Sequence, residues 1–183
     1  MTAQPPLAIF WIRHDEMTPA QVEEYDRLDA AAFSPPGETP DPDAPPEEWD
    51  SVDVHCFGLL GGRMVSHAGL VERDILIGGR PFITVGVGGV CTHPDFQRRG
   101  YARVVMDEIR AAILADPRAQ LGLLFCAPQR VPFYASLGWV ERTGPLYALQ
   151  FGERVRFGAR CMLLLKPGVD LPPGEIDLRN IPW

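Results

Sequence analysis

The residues best suited to do chemistry lie in a short loop, Gln97–Arg103, which carries three arginines around Gly100. A β-rich segment ends before this loop, and an amphipathic helix begins within it. The first N–H groups of a helix lack partners inside the helix, so a helix start flanked by arginines is a ready anion site. Gly100 has no Cβ and lets the backbone approach such an anion closely. The loop therefore indicates a phosphate-bearing cofactor, and an ordinary helix start with solvated arginines is the alternative.

The elements that must hold this loop form a meander of strands followed by alternating strands and helices. Strands are predicted at Leu7–Arg13, Val54–Leu60, Met64–Ile77, Phe82–Thr92, Leu121–Cys126, Trp139–Glu141, Leu146–Phe151 and Ala159–Lys166. Helices are predicted at Thr18–Phe33, Gly100–Leu114 and Val131–Leu137. The segment Ser34–Asp50 holds six prolines and six acidic residues and is predicted to be a loop. This order predicts one α/β domain, residues 1–183, with a mixed and mostly antiparallel sheet.

Composition narrows the possible partners. The 183 residues carry a net charge of −7, which disfavours nucleic acid and favours cationic ligands. The early apolar run, Leu7 to Ile12, is too short to span a membrane and lacks the layout of a signal peptide. We therefore expect no membrane partner and a cytoplasmic location. The four cysteines form no C-x-x-C pair, so no metal site is expected.

Two motifs together resemble a known family. The loop Gln97–Ala102 fits the pattern Q/R-x-x-G-x-G/A, and Phe133–Trp139 fits F-Y-x-x-x-G-F/W. Both patterns are similar to motifs of the GNAT N-acetyltransferase superfamily. The resemblance implies a GNAT fold, in which a mixed sheet splays open between its central parallel strands and is flanked by helices. It also implies acetyl-coenzyme A (acetyl-CoA) as the co-substrate.

The resemblance assigns roles to individual residues. The N–H of Val90 would hold the acetyl carbonyl, and Tyr134 would protonate the departing thiolate, because a phenol with a pKa near 10 can give a proton without ionising first. A β-bulge without a ligand and a tyrosine of the core are the plainer alternatives. The implied cofactor-binding residues are Val90, Cys91, Thr92, Gln97, Arg98, Arg99, Gly100, Tyr101, Ala102 and Arg103.

A narrower resemblance is to the aminoglycoside 2′-N-acetyltransferase branch of this superfamily. It rests on Val87-Gly88-Gly89-Val90, Tyr134–Trp139, Gly144-Pro145 and Trp183. In that branch the carboxylate of the last tryptophan helps to bind the sugar, so Trp183 is expected to contact a cationic substrate. Gly88 stands where the branch has a glutamate proposed as general base, and Ile181 stands where it has an acidic residue.

These observations predict an enzyme that transfers acetyl from acetyl-CoA to a primary amine of a small cationic molecule by direct attack. Candidate groups for removing the amine proton are Glu72, which we also expect to bind substrate, His55, His67, the Trp183 carboxylate and a water chain. A GNAT-fold sensor that binds acyl-CoA without efficient catalysis is the main alternative. A dinucleotide-dependent oxidoreductase is a weaker one, because the glycines of Val85–Val90 lie within a strand. Superfamily members often dimerise through late strands, so a homodimer is a further expectation.

Overall fold

The computed structural model describes residues 6–34 and 47–183, which contain ten strands and three α-helices. The strands are β1 Ala8–Arg13, β2 Val54–Leu60, β3 Arg63–Ile77, β4 Arg80–Thr92, β5 Leu121–Cys126, β6 Val140–Arg142, β7 Leu146–Gln150, β8 Glu153–Arg156, β9 Arg160–Leu165 and β10 Ile176–Asp177. The helices are α1 Pro19–Phe33, α2 Tyr101–Ala115 and α3 Val131–Ala135. None of the helices in the described ranges is long and apolar enough to cross a membrane.

All ten strands belong to one sheet, whose main path runs β6-β9-β5-β4-β3-β10-β7-β8. The pair β1 and β2 extends from the first half of β3, with β2 hydrogen-bonded to β3 and β1 to β2. The neighbours β4 and β5 run parallel, as do β7 and β10, and the other neighbouring strands run antiparallel. The predicted mixed, mostly antiparallel sheet is confirmed.

The two central parallel strands separate along their length. Strand β4 pairs with β5 from Thr84 opposite Leu121 to Val87 opposite Leu124. Past Val87, β4 continues along β3 to Thr92, while β5 continues along β9 to Cys126. The sheet therefore opens between β4 and β5, as the resemblance implied.

Helices cover the two faces of the sheet near this opening. The buried side of α2 packs on the face that carries Val85 and Val87. Helix α1 packs on the opposite face, where Leu28 joins a cluster with Phe57 and Cys91. Each apolar side chain buried in this way contributes roughly 1.5–3 kcal/mol. The packing holds the helix start of α2 beside the opening.

The N-terminus of α1 is fixed by a reciprocal cap. The backbone N–H of Gln21 donates to the Thr18 hydroxyl at 3.3 Å, and the N–H of Thr18 donates to the Gln21 side chain at 2.9 Å. Pro19 occupies the first helical position, as predicted. The cap fixes the residue at which α1 begins. The start of the helix in turn sets which of its side chains face the sheet.

Two strands were missed by the sequence prediction. Strand β8 is short, mostly exposed and rich in charge, so it has no apolar alternation to reveal it. Strand β10 has only two residues and forms because it fits between β3 and β7. Helix α3 ends at Ala135, two residues before the predicted end, and follows a 3₁₀ turn at Pro128–Arg130. Most of the predicted loop Ser34–Asp50 lies outside the described residues.

Candidate active site

A cavity of about 1090 Å³ opens where β4 and β5 separate. It runs from the start of α2 to α1 and the C-terminal segment of the described chain. Most of the residues that the sequence singled out line it together. They are Val90, Cys91, Thr92, Gln97, Arg98, Gly100, Tyr101, Ala102, Arg103, Tyr134 and Trp183.

Two of the predicted site residues lie outside the cavity wall. The Arg99 guanidinium donates to the carbonyl oxygen of Asp95 at 2.8 Å and sits over the Phe96 ring, 5.3 Å from its centre. It therefore braces the loop. Glu72 is exposed on β3, and its carboxylate pairs with Arg118 at 2.6 Å. The structure does not bring Glu72 to the cavity, because its side chain is engaged with the segment that follows α2.

The start of α2 has the backbone of an anion site. Gly100 has φ +83°, and Arg98, two residues earlier, has φ +59°. A glycine adopts this left-handed conformation readily, whereas an arginine is strained in it, and such strain concentrates at functional sites. The side chain of Gln97 donates to the carbonyl oxygen of Thr92 at 3.1 Å, which ties the loop to the end of β4. Arg103 donates to the Ser136 hydroxyl at 2.7 Å and faces the same cavity.

Strand β4 carries a bulge at the widest part of the opening. The register with β3 passes from Gly69 opposite Gly88 to His67 opposite Cys91, so Gly89 and Val90 together face one residue of β3. Gly89 has φ +59°, which turns its peptide away from the regular ladder. The β-bulge that was one alternative for the glycines of this strand is therefore present. It leaves the peptide between Gly89 and Val90 beside the cavity, past the last pairing with β5.

The other two strand glycines make room for Trp183. The indole lies directly on Gly86, and a Cβ at that position would overlap its atoms. At Gly88 a Cβ would lie 3.1 Å from the carbonyl carbon of Trp183. The glycine pattern therefore reflects the approach of this tryptophan on one sheet face. The space that a side chain at position 88 would enter is largely taken by the Trp183 backbone.

Trp183 forms a buried wall of the cavity. It is only 5 % exposed, and its ring lies 5.3 Å from that of Phe125. The preceding residue is held in place, because the Asp50 N–H donates to the carbonyl oxygen of Pro182 at 2.6 Å. Strand β10 anchors the same segment further upstream. The segment is thus docked against the site.

Tyr134 lies in α3 on the other side of the opening and is 6 % exposed. Burial raises the pKa of its phenol well above the usual value of 10, the neighbouring Cys126 adds to the rise, and Arg130 opposes it. The phenol is therefore protonated at every ordinary pH. A protonated hydroxyl lining the cavity can act as a proton donor.

Three histidines form a hydrogen-bonded chain beside the bulge. Nδ1 of His14 lies 3.0 Å from Nε2 of His55, and Nδ1 of His55 lies 3.0 Å from Nε2 of His67. Nδ1 of His67 lies 2.8 Å from the carbonyl oxygen of Gly89. His14 and His55 line the cavity, whereas His67 is fully buried behind it. His67 therefore has no direct access to an amine in the cavity.

The alignment of these histidines depends on a second bulge. The glycine turn between β2 and β3 pairs Leu60 with Arg63, and continuing that register would pair His55 with Ala68. The register shifts by one residue between Gly58 and Leu59. A shift of one residue moves side chains to the opposite face, so His55 and His67 come to the same face.

Several cavity residues escaped the sequence prediction. Tyr25 and Asp29 lie one helical turn apart on α1, and this i, i+4 spacing is the signal that could have revealed them. Burial raises the pKa of the Asp29 carboxyl, and Asp26 raises it further. The missed residues of the wall include His14, Tyr25, Asp29, Phe33, Trp49, Asp50, Phe125 and Arg130. Residues 6–34 and 47–183 contain no cluster of three or more histidine, cysteine or acidic groups able to hold a metal ion.

Comparisons with known proteins show which sequences and folds this chain is similar to. An aminoglycoside 2′-N-acetyltransferase of Mycolicibacterium fortuitum is 28 % identical over 133 residues, which cover 71 % of this chain and 67 % of that protein. The crystal structure of Escherichia coli ElaA has a TM-score of 0.63 and 16 % identity, covering 86 % of this chain and 99 % of that one.

A second solved structure is a GNAT family acetyltransferase of Brucella melitensis in complex with acetyl-CoA. It has a TM-score of 0.57 and 16 % identity, covering 92 % of this chain and 94 % of that one. At this identity the two structures show a shared fold. The sequence profile described as an acetyltransferase (GNAT) domain matches residues 13–141, which is more than half of the chain. The chain therefore belongs to the GNAT acetyltransferase family, and acetyl-CoA is its co-substrate.

Proposed function

We propose that this acetyltransferase moves the acetyl group of acetyl-CoA to a primary amine of a small cationic molecule by direct attack. The observation that supports this most directly is the bulge in β4. It leaves the Val90 peptide beside a cavity that Tyr134 also lines. One group can thus stabilise the developing oxyanion and another can protonate the leaving group, on either side of the same opening.

The residues of the loop and of α2 fit the co-substrate. A helix start with left-handed backbone at Arg98 and Gly100 suits a pyrophosphate, because its N–H groups converge on an anion. Arg98, Arg103 and Arg130 line the cavity and supply positive charge. The opening between β4 and β5 offers backbone groups of β4 to the pantetheine amides. These residues would bind and orient the thioester.

The chemistry at the thioester follows from two residues. The N–H of Val90 would donate to the acetyl carbonyl oxygen, and this hydrogen bond would strengthen as negative charge develops there. The phenol of Tyr134 would give its proton to the thiolate sulfur as the carbon–sulfur bond breaks. Because burial keeps the phenol protonated, the donor is available throughout the working range of pH.

The part of the cavity lined by His14, Asp29, Trp49 and Trp183 is called the acceptor side. It carries the features that a cationic amine would need. Asp29 lines it, and the carboxyl has a raised pKa because it is partly buried and lies near Asp26. An ammonium group placed there would offset both effects. Trp49 and Trp183 provide flat apolar walls against which a polyamine or an amino sugar can pack. The 28 % identical relative is an aminoglycoside acetyltransferase, which supports the same class of acceptor.

The amine must lose a proton before it can attack. The imidazole of His14 is exposed and lines the acceptor side, so it can accept this proton directly or through water. His67 is unsuited to this role because its ring is buried behind the bulge. A homodimer stays a prediction.

The experiment is a thiol-release assay with acetyl-CoA and a panel of amines. The panel contains kanamycin, tobramycin, spermidine, a neutral primary amine and an acidic amino acid. We expect acceptor-dependent release of coenzyme A for one of the cationic amines, with mass spectrometry showing one added acetyl group. Co-substrate binding without acceptor-dependent release would favour the sensor alternative. Release with the neutral or acidic amine alone would contradict the cationic class.

A further inference from the structure

The histidine chain ends on the peptide that carries the Val90 N–H. Nδ1 of His67 lies 2.8 Å from the carbonyl oxygen of Gly89, and that carbonyl and the Val90 N–H belong to one peptide group. In a trans peptide the C=O and N–H bonds point in opposite directions. His67 therefore holds one end of the peptide while the other end points away from the ring.

The hydrogen bond to the Gly89 carbonyl sets the direction of the other hydrogen bonds among the three histidines. A carbonyl oxygen can only accept, so His67 must carry its proton on Nδ1. Burial lowers the pKa of His67 to about 3, so the ring is neutral and its Nε2 accepts. His55 must then donate from Nδ1, and its own Nε2 must accept from Nδ1 of His14. All three histidines therefore have the Nδ1–H tautomer.

The peptide needs such a constraint because Gly89 does not fix its orientation. Glycine adopts positive and negative φ with similar ease, and the bulge has removed this peptide from the β3 register. The His67 ring is in close contact with Gly89. A Cβ on Gly89 would lie 3.0 Å from Cε1 of His67 and 3.1 Å from Nδ1. Tyr25 packs on His67 with ring centres 4.7 Å apart and limits rotation of the imidazole.

We propose that His67 is a positioning residue for the oxyanion donor, in the tautomer that the Gly89 carbonyl requires and that the hydrogen bond between His55 and His67 supports. The inference rests on the proposed function of the Val90 N–H. The hydrogen bond from His67 fixes the rotation of the Gly89–Val90 peptide. It also polarises that peptide, because a hydrogen bond to a carbonyl strengthens the N–H on the other side as a donor. His67 contacts neither substrate in this arrangement.

The test compares two substitutions of His67. His67→Leu removes the donor, and we expect kcat to fall roughly tenfold or more, while KM for acetyl-CoA changes little. His67→Asn keeps an N–H donor at the δ position and should restore most of the lost kcat. Ile77→Ala is the control for lost stability, because Ile77 is fully buried at the far end of β3, opposite Arg80 and Ile176, and is not part of the cavity wall. It should lower the melting temperature and leave kcat unchanged.

A second readout does not depend on catalysis. Nitrogen-15 NMR of the wild-type protein should show Nδ1 of His67 protonated and Nε2 unprotonated. The carbonyl carbon of Gly89 should shift when His67 is replaced by leucine, and less when it is replaced by asparagine. A proton on Nε2 of His67 would overturn the hydrogen-bond chain, whether or not the protein transfers acetyl groups.

The two proposals fail in different ways. If wild-type protein transfers acetyl and His67→Leu retains its kcat, the positioning role is wrong and the proposed function stands. If wild-type protein releases no coenzyme A with any amine of the panel, the proposed function is wrong. The NMR tautomer of His67 then decides alone whether the chain holds the peptide.

Discussion

The indole of Trp183 lies directly on the backbone of Gly86, so closely that no side chain fits at that strand position. Trp183 lines the cavity, so this contact seats one wall of the cavity on strand β4. If Gly86 carried a Cβ, the three nearest atoms to it in the described structure would all belong to the Trp183 indole. The contact couples the position of Trp183 to the identity of a single glycine.

Gly86→Ala should therefore destabilise the protein and disturb the acceptor side. Overpacking of this kind costs roughly 1–3 kcal/mol, which urea denaturation will measure. The displaced indole should raise KM for the amine more than that for acetyl-CoA. Gly158→Ala is the matched control, because a Cβ there meets no atom within 4 Å in the described structure. Equal stabilities of the two variants would contradict the close packing of Trp183.

Tyr134→Phe should lower kcat roughly a hundredfold, since a positioned proton donor contributes at least that much to a rate. Affinity for acetyl-CoA should stay within about twofold of the wild type, measured by calorimetry. Tyr147→Phe serves as the control, because that ring lies under Arg154 with 3.6 Å between the guanidinium carbon and the ring centre, away from the cavity. Wild-type turnover in Tyr134→Phe would remove this residue from the mechanism.

Arg98→Ala should weaken binding of coenzyme A roughly tenfold to a hundredfold, because a charge-assisted hydrogen bond to a phosphate contributes roughly 1.5–3 kcal/mol and the backbone of the loop remains. The affinity of the wild type should also fall more steeply with salt than that of the variant. Arg118→Ala removes an exposed arginine that pairs with Glu72 outside the cavity and should bind as the wild type does. An equal loss of affinity in both variants would show that binding depends on the net charge of the protein and not on a contact with Arg98.

Stability should fall as the pH falls from about 6.5 to about 4. Burial, with a smaller effect of His14, lowers the pKa of His55 from 6.5 to about 4 in the folded protein. Within this window the unfolded chain takes up a proton that the folded chain does not, so acid favours unfolding. The shift corresponds to about 3 kcal/mol. The stability gained from a neutral His55 is fully present above pH 6.5.

Urea denaturation across this pH range measures the effect. His55→Gln cannot titrate at this position and should show a shallower loss of stability than the wild type. Identical pH dependence in His55→Gln and the wild type would rule out His55 as the source.

The part of the cavity that we propose binds the co-substrate could be predicted from the sequence, because its signals are local. The loop Gln97–Arg103, the strand before it and the segment around Tyr134 each carry a recognisable pattern within a few residues. Gly100 has a positive φ, which a glycine adopts without strain. Arg99 is the exception, because only the packing of the loop decides which arginine turns toward Phe96.

The part of the cavity that we propose binds the acceptor could not be predicted, because distant segments assemble it. His55 and His67 share a face only because of the shift between Gly58 and Leu59, and nothing in the local sequence announces that shift. Glu72 was expected at the site because it lies on a neighbouring hairpin, yet its partner Arg118 comes from beyond α2. The role of Trp183 in filling the space over Gly86 and Gly88 depends equally on long-range docking.

The docking of the last residues onto β3, β7 and Asp50 has a consequence for synthesis on the ribosome. The loop of Gly100 and the segment of Tyr134 leave the ribosome before Trp183 does, but a domain generally folds as a unit. Strand β5 at the opening also needs its partner β9, which follows Tyr134 in the chain. The cavity is therefore still incomplete when its first wall residues emerge, and one of its walls forms only when Trp183 settles on Gly86.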